Sequence, residues 1–229
     1  MEDIKHQQMG YDRAATMFAP DGHILQVEYA EKTIRLGSAS IGVVCGDEVV
    51  IVSDRRQRDV LVVENSANKI NEIDEHIIAV GAGISSDARV LIDKARVISQ
   101  QHRVTYDSPI NTEALVKDIA DVKQQFTHYG GARPFGVSMM FAGVGDSASL
   151  YTTDVTGNYL QYKANAIGDK DSEIKEILRT EFKDGMKTDE AIKMALDIFS
   201  KVQKDDFNKE RFDIVILDHS DKRDNKNYR

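Results

Sequence analysis

The chain has 229 residues and a mass of 25.6 kDa, enough to bury a sizeable core in one ample domain or two small ones. Hydrophobic residues make up 41% and charged residues 30%, with only 3 prolines and 15 glycines, which excludes collagen-like, disordered and low-complexity classes. Thirty basic against 38 acidic side chains give a formal charge of −8, which disfavours a polyanion-binding surface and removes nucleic acid from the expected partners.

Residues 1 to 10 carry little pattern, and the last stretch, DHSDKRDNKNYR, is almost devoid of apolar residues. The expected organisation is one domain over residues 11–218, between an N-terminal tail, 1–10, and a polar C-terminal tail, 219–229. Pro20-Asp21-Gly22 is turn material, and Val27, Ala30 and Ile34 then share one helical face, predicting a helix near residues 22–36 with Gly37 at its C-terminal cap. Ile41, Val43 and Cys45 alternate before Gly46-Asp47, and Val49 to Val52 is a β-branched run, so the segment reads as a hairpin. A second strand pair covers Lys69 to Ile73 and His76 to Ala82.

Two helices follow. The first has Ser85 and Ser86 as N-cap candidates and a stripe of Ala88, Leu91, Ile92, Ala95 and Ile98; the second starts at Asn111 and aligns Leu115, Ile119, Val122 and Phe126. Strands return at Gly136 to Ala142, Ser149 to Asp154 and Tyr159 to Ala166. Two more stripes, Ile174 to Phe182 and Ile192 to Val202, precede a last strand at Phe212 to Leu217. Paired helices between groups of antiparallel strands break the strict alternation of a doubly wound sheet. The order predicts an α+β fold, a four-layer αββα sandwich with an extra N-terminal helix.

Several familiar site types are missing. No apolar run reaches the roughly 18 residues that a bilayer span needs, and MEDIKHQQMG has no hydrophobic stretch of the signal-peptide kind, so a cytoplasmic chain with no membrane partner is expected. The single Cys45 can form neither an internal disulfide nor a cysteine-rich metal site. The six histidines show no metal-ligand spacing, so no metal is expected. Gly81-Ala82-Gly83 lies between a strand and a helix, but Ser86 stands where a dinucleotide fingerprint needs its third glycine, and the segment reads as a tight turn. Asp93 and Arg96, at helical spacing, read as a solvated pair.

The segment Tyr11-Asp12-Arg13, followed by Phe18-Ala19-Pro20-Asp21-Gly22-His23-Ile24-Leu25-Gln26-Val27-Glu28-Tyr29-Ala30, resembles the signature that opens proteasome α subunits. Gly37-Ser38, Ser53-Asp54, Asn65-Ser66, Lys69-Ile70, the segment from Gly81 to Arg89 and Tyr129 to Ser138 continue the family pattern in order, so the resemblance runs from Tyr11 to Leu217 and is closest to the archaeal 20S type. It implies the sandwich of N-terminal nucleophile hydrolases and a helix that lies across one open end of it. It also implies a non-catalytic member of a seven-membered α ring, with β subunits, a regulatory AAA-type ATPase ring and unfolded protein substrates as partners and no cofactor.

The related β subunits hydrolyse peptides with an N-terminal threonine whose own amine is the base. Here the aligned position is Ser38, Asp54 stands sixteen residues later near the place of the family's acid, and Lys69 falls one residue short of the expected lysine spacing. An enzyme would require cleavage at Gly37-Ser38, which discards the Tyr11 to Ala30 segment that carries the resemblance. These residues are therefore read as inherited framework, with an N-terminal nucleophile peptidase as the alternative. The resemblance assigns residues 1–10 to a gating tail, Tyr11, Asp12 and Arg13 to the turn that directs it, and Tyr11, Asp12, Pro20 and Tyr29 to the cluster that holds the gate open. It assigns Lys69 to the carboxylate of a docking ATPase tail, with Gly37 leaving room for that tail.

Overall fold

The computed structural model describes residues 10–11, 13–55, 61–63 and 67–218. The predicted tails, 1–10 but for Gly10 and 219–229, lie outside the described residues, as does Asp12. In chain order the elements are α1 (Leu25–Ile34), β1 (Ser40–Cys45), β2 (Glu48–Asp54), β3 (Ile70–Asp74), β4 (Ile77–Gly83), α2 (Ser85–Tyr106), α3 (Thr112–His128), β5 (Val137–Val144), β6 (Ala148–Thr153), β7 (Tyr159–Gln161), β8 (Ala164–Ile167), α4 (Asp171–Glu181), α5 (Thr188–Gln203) and β9 (Phe212–Leu217).

Two antiparallel sheets form the centre, one ordered β8-β1-β2-β9 and the other β3-β4-β5-β6-β7. Their inner faces meet in a layer that contains Val49, Ile51, Ile78, Val80, Met140, Ala142 and Leu150. The outer face of the first sheet turns Val50 and Val52 toward Ile192, Ala195 and Phe199 of α5, and that of the second turns Ile77, Met139 and Phe141 toward Leu91 of α2 and Leu115 and Ile119 of α3. Side chains alternate between faces along a strand, so a strand covered on both sides must be apolar at every position. This accounts for Val137 to Val144, where all eight residues are buried and the one polar side chain, Ser138, is hydrogen-bonded to the Thr153 carbonyl. Each fully buried side chain such as Phe141 or Leu115 contributes about 1.5–3 kcal/mol relative to exposure. The predicted four-layer sandwich is the observed architecture, and among the described residues no helix is long and apolar enough to cross a membrane.

The local readings hold at several points. Gly46, at φ 64°, and Asp47 form the two-residue turn that sets Cys45 opposite Glu48, and Asn111 caps α3 by accepting from the Glu113 amide at 2.8 Å. Three details differ. Gly37 lies outside the left-handed region; the C-cap of α1 is Arg35, and Gly37 closes the last turn by donating its amide to the Ile34 carbonyl at 3.0 Å. Ser85 and Ser86 sit in the first turn of α2, whose N-cap is Ile84, without a side-chain cap. The strand expected over Tyr159 to Ala166 is two strands in different sheets: β7 pairs with β6, β8 pairs with β1, and the chain changes sheet at Tyr162-Lys163. There Tyr162 donates to the Leu150 carbonyl and Lys163 accepts from Val44, each at 2.8 Å.

Candidate functional site

The ends of β2, β4, β6 and β8 and the starts of β1, β5 and β9 gather at one end of the sandwich. Helix α1 is seated on this end. Its Val27 and Ala30 pack on the fully buried Val155 just beyond β6, and its Thr33 hydroxyl donates to the Gly136 carbonyl at 2.8 Å. Three glycines allow the approach. A Cβ on Gly37 would come within 3.0 Å of the Gly83 amide, one on Gly83 within 3.0 Å of the Gly136 carbonyl, and one on Gly136 within 3.0 Å of the Thr33 hydroxyl. Gly83 also adopts φ 126°, which side-chain-bearing residues avoid. The Gly81-Ala82-Gly83 segment, read from the sequence as a turn, is instead the end of β4, paired with Met139, Ser138 and Val137 of β5, and the strand-to-helix turn is confined to Ile84 before α2 starts at Ser85.

Gly37 and Lys69 line one cleft of about 570 Å³ at this end, together with Ser38, Arg55, Arg89 and Arg96. Lys69 Nζ donates to the Ser38 carbonyl and to Ser40 Oγ, the latter at 3.3 Å, and Asp93, which also lines the cleft, pairs with Arg89 and Arg96. The space where a Gly37 side chain would stand is filled by the Gly83 backbone, so the bare Cα is required by the fold itself.

The nucleophile constellation is not assembled for catalysis. Ser38 is joined to Gly37, whose carbonyl accepts from the Asp169 amide at 2.8 Å, and Gly168 packs against Ser38 and Ala39. An acylated serine nitrogen cannot act as the base that this chemistry requires. Asp54, almost wholly buried, accepts from Arg211 at 2.8 and 2.6 Å and from Gln203 at 2.7 Å, a bidentate ion pair that fastens β2 to the start of β9.

The predicted gating residues lie along the segment that leads into α1. Arg13 is exposed and donates its amide to the Gly10 carbonyl at 3.1 Å, while Tyr11 is half-buried. Pro20 is exposed in a turn closed by Gly22 donating to Ala19 at 2.8 Å and Ala19 donating to His23 at 2.7 Å. Tyr29, half-buried on α1, carries the Lys32 ammonium 5.2 Å from its ring centre.

Two features of this end escape the sequence reading. Asp87 takes Arg133 in a bidentate pair at 2.6 and 2.7 Å and the Gly136 amide at 2.9 Å, tying the first turn of α2 to the start of β5. Burial raises its pKa, but the hydrogen bonds from Arg133 and Gly136 outweigh that and leave it below the usual carboxylate range. The second feature is Lys123, fully buried within the apolar face of α3 and bonded only to backbone oxygens and a hydroxyl. A lysine amid Ile119, Val122 and Phe126 is the signal that marks it.

Two helix-covered antiparallel sheets, with the start of β1 presented at one end and an added helix seated over it, define the α/β sandwich of the N-terminal nucleophile hydrolases. The family model described as "Proteasome subunit" matches residues 34–217, and the model of the N-terminal signature of A-type proteasome subunits matches residues 11–32. The chain belongs to the proteasome subunit family, and within it to the non-catalytic α type. It is 47% identical over 189 residues to the proteasome alpha subunit of Archaeoglobus fulgidus, covering 82% of this chain and 77% of the relative. It is 41% identical over 217 residues to the proteasome alpha subunit of Methanosarcina acetivorans, covering 94% and 88%, and 40% identical over 216 residues to that of Thermococcus sibiricus, covering 94% and 83%. Membership implies assembly with other proteasome subunits.

Proposed function

We propose that this chain forms the seven-membered outer ring of a cytoplasmic 20S core particle, stacks on a ring of β subunits, gates the passage of unfolded protein and docks an AAA-type ATPase ring. The carrying observation is the coincidence of the α-type signature, residues 11–32, with the turn at Pro20 and the helix α1 that occupies the end of the sandwich where Ser38 lies. In this reading residues 1–10 are the gate, Tyr11, Asp12 and Arg13 set its direction, and Pro20 and Tyr29 support the open state between neighbouring subunits. The body of the protein is 11–218, and 219–229 is a polar tail. The cleft of Lys69 and Gly37 receives the ATPase carboxylate, a role supported by the excess of cationic over acidic side chains that line it, Lys69, Arg55, Arg89 and Arg96 against Asp93.

A short polar tail with few apolar anchors is ordered by modest contacts, so it can switch at low energetic cost. Deleting residues 2–10 is therefore expected to accelerate degradation of an unfolded protein such as casein by assembled α/β particles, while hydrolysis of a short peptide changes less. Unchanged casein degradation in fully assembled particles would remove the gating assignment.

A further inference from the structure

Lys123 stands where the β5–β6 ladder splits. The last pair of that ladder is Met139 with Thr153, and beyond it Val137 continues in β5 while the other chain turns away at Asp154. The Lys123 ammonium fills the fork: it donates to the Val137 carbonyl at 3.0 Å, to Thr153 Oγ1 at 2.9 Å and to the Thr153 carbonyl at 3.4 Å, and the Ser138 hydroxyl joins the last of these at 2.9 Å. Three oxygen acceptors thus surround the Lys123 amine, with no solvent exposure.

The lid over this group is the turn 154–158. Asp154 holds the turn by accepting from the Thr156 amide and hydroxyl at 2.9 and 2.7 Å and from the Asn158 amide at 3.0 Å. Gly157 lies so close to α3 that a Cβ would come within 3.0 Å of the Ala120 carbonyl and the Gln124 amide, on either side of Lys123 in sequence. Helix α1 covers the turn through Val27, Ala30 and Val155, and is fastened by Thr33 to Gly136, next to the Val137 that Lys123 holds.

We propose that the 154–158 turn and α1 above it form a cap whose lifting hydrates Lys123 and takes up a proton, so that this end of the sandwich is held more firmly as the pH rises above neutrality. The inference stands apart from the gating assignment, since it concerns only how α1 is held. Burial pushes the Lys123 pKa down to about 7, partly opposed by the Asp154 carboxylate. An exposed lysine has a pKa near ~10.4. Because the closed state binds its proton less tightly than the open state, opening is coupled to proton uptake between those values, and each pH unit there disfavours it by up to about tenfold.

The other charged groups around the cap act differently. Glu31 of α1 has its carboxyl raised by burial and then by Asp154 and Glu28, with Arg35 opposing. A raised carboxyl favours the closed state in acid and loses that contribution as the pH rises through its closed-state value, a trend opposite to that of Lys123. His23 pairs with Glu28 at 2.9 Å at the exposed start of α1.

The test is amide hydrogen exchange of the full-length protein from pH 5 to 9, read on α1 peptides and corrected for intrinsic rates, with α5 peptides on the far face as reference. Wild-type α1 protection should climb with pH beyond any change in α5. In Lys123→Met the climb should vanish, and in Asp154→Asn, which keeps an acceptor for the turn but removes the charge that helps retain the proton, it should begin at lower pH. If Lys123→Met does not fold, Asp154→Asn decides, and an unmoved profile in that variant overturns the proposal. So does a flat wild-type profile, or a climb that persists in Lys123→Met.

Discussion

Lys69→Ala is expected to abolish stimulation of proteolysis by the ATPase ring while ring assembly and basal peptide hydrolysis persist. A primary ammonium meeting a terminal carboxylate in a partly enclosed cleft forms a charge-assisted hydrogen bond, whose loss costs about 1.5–3 kcal/mol, or roughly tenfold to a hundredfold in affinity at each site. Equivalent clefts around a ring multiply the effect through avidity. Because Lys69 also holds the Ser38 carbonyl and Ser40 hydroxyl within its own chain, the variant separates two roles. Normal ATPase binding by Lys69→Ala would refute docking, and failure to assemble would show that the lysine serves the fold. Combined with the deletion of residues 2–10, the variant should remain open to casein, since an open gate needs no docked activator.

Gly83→Ala should lower the melting temperature by roughly 6–12 °C, corresponding to about 3 kcal/mol in a chain of this length. Two costs coincide there. The residue sits at φ 126°, and its new methyl group would press on the Gly136 carbonyl where α1, β4 and β5 converge. Gly145→Ala, at a turn where a Cβ would meet nothing within 4 Å, is the matched control and should shift melting little, as scanning calorimetry of both variants will show. Equal melting of the two would mean that the glycine contact does not hold this end together.

Much of this architecture is legible in the sequence because strand and helix periodicities differ. The run from Val137 to Val144, polar only at Ser138, announces a strand covered on both faces, and the stripe Leu115, Ile119 and Phe126 announces the helix that covers one of them. The segment from Tyr159 reads as a single strand because apolar alternation continues across a point where the chain changes sheet, and hydrogen-bond partners leave no periodic mark. Within the site, Gly37 and Lys69 share one cleft as their family positions imply, since Lys69 reaches back to Ser38. The pairs Asp54 with Arg211 and Asp87 with Arg133 join residues 157 and 46 positions apart, a separation that no local pattern encodes. Lys123 is the detectable case, because a lysine inside an apolar stripe needs acceptors wherever it is buried.

The central claim is that this chain is a non-catalytic, gating α subunit, and the most direct measurement combines imaging of the purified full-length protein with a peptidase assay with and without β subunits. Closed ring projections, no hydrolysis by the chain alone, hydrolysis on addition of β subunits, and no effect of Ser38→Ala in either preparation are expected. A chain that hydrolyses peptides without β subunits, loses that activity on Ser38→Ala and has an intact mass beginning at Ser38 would contradict it.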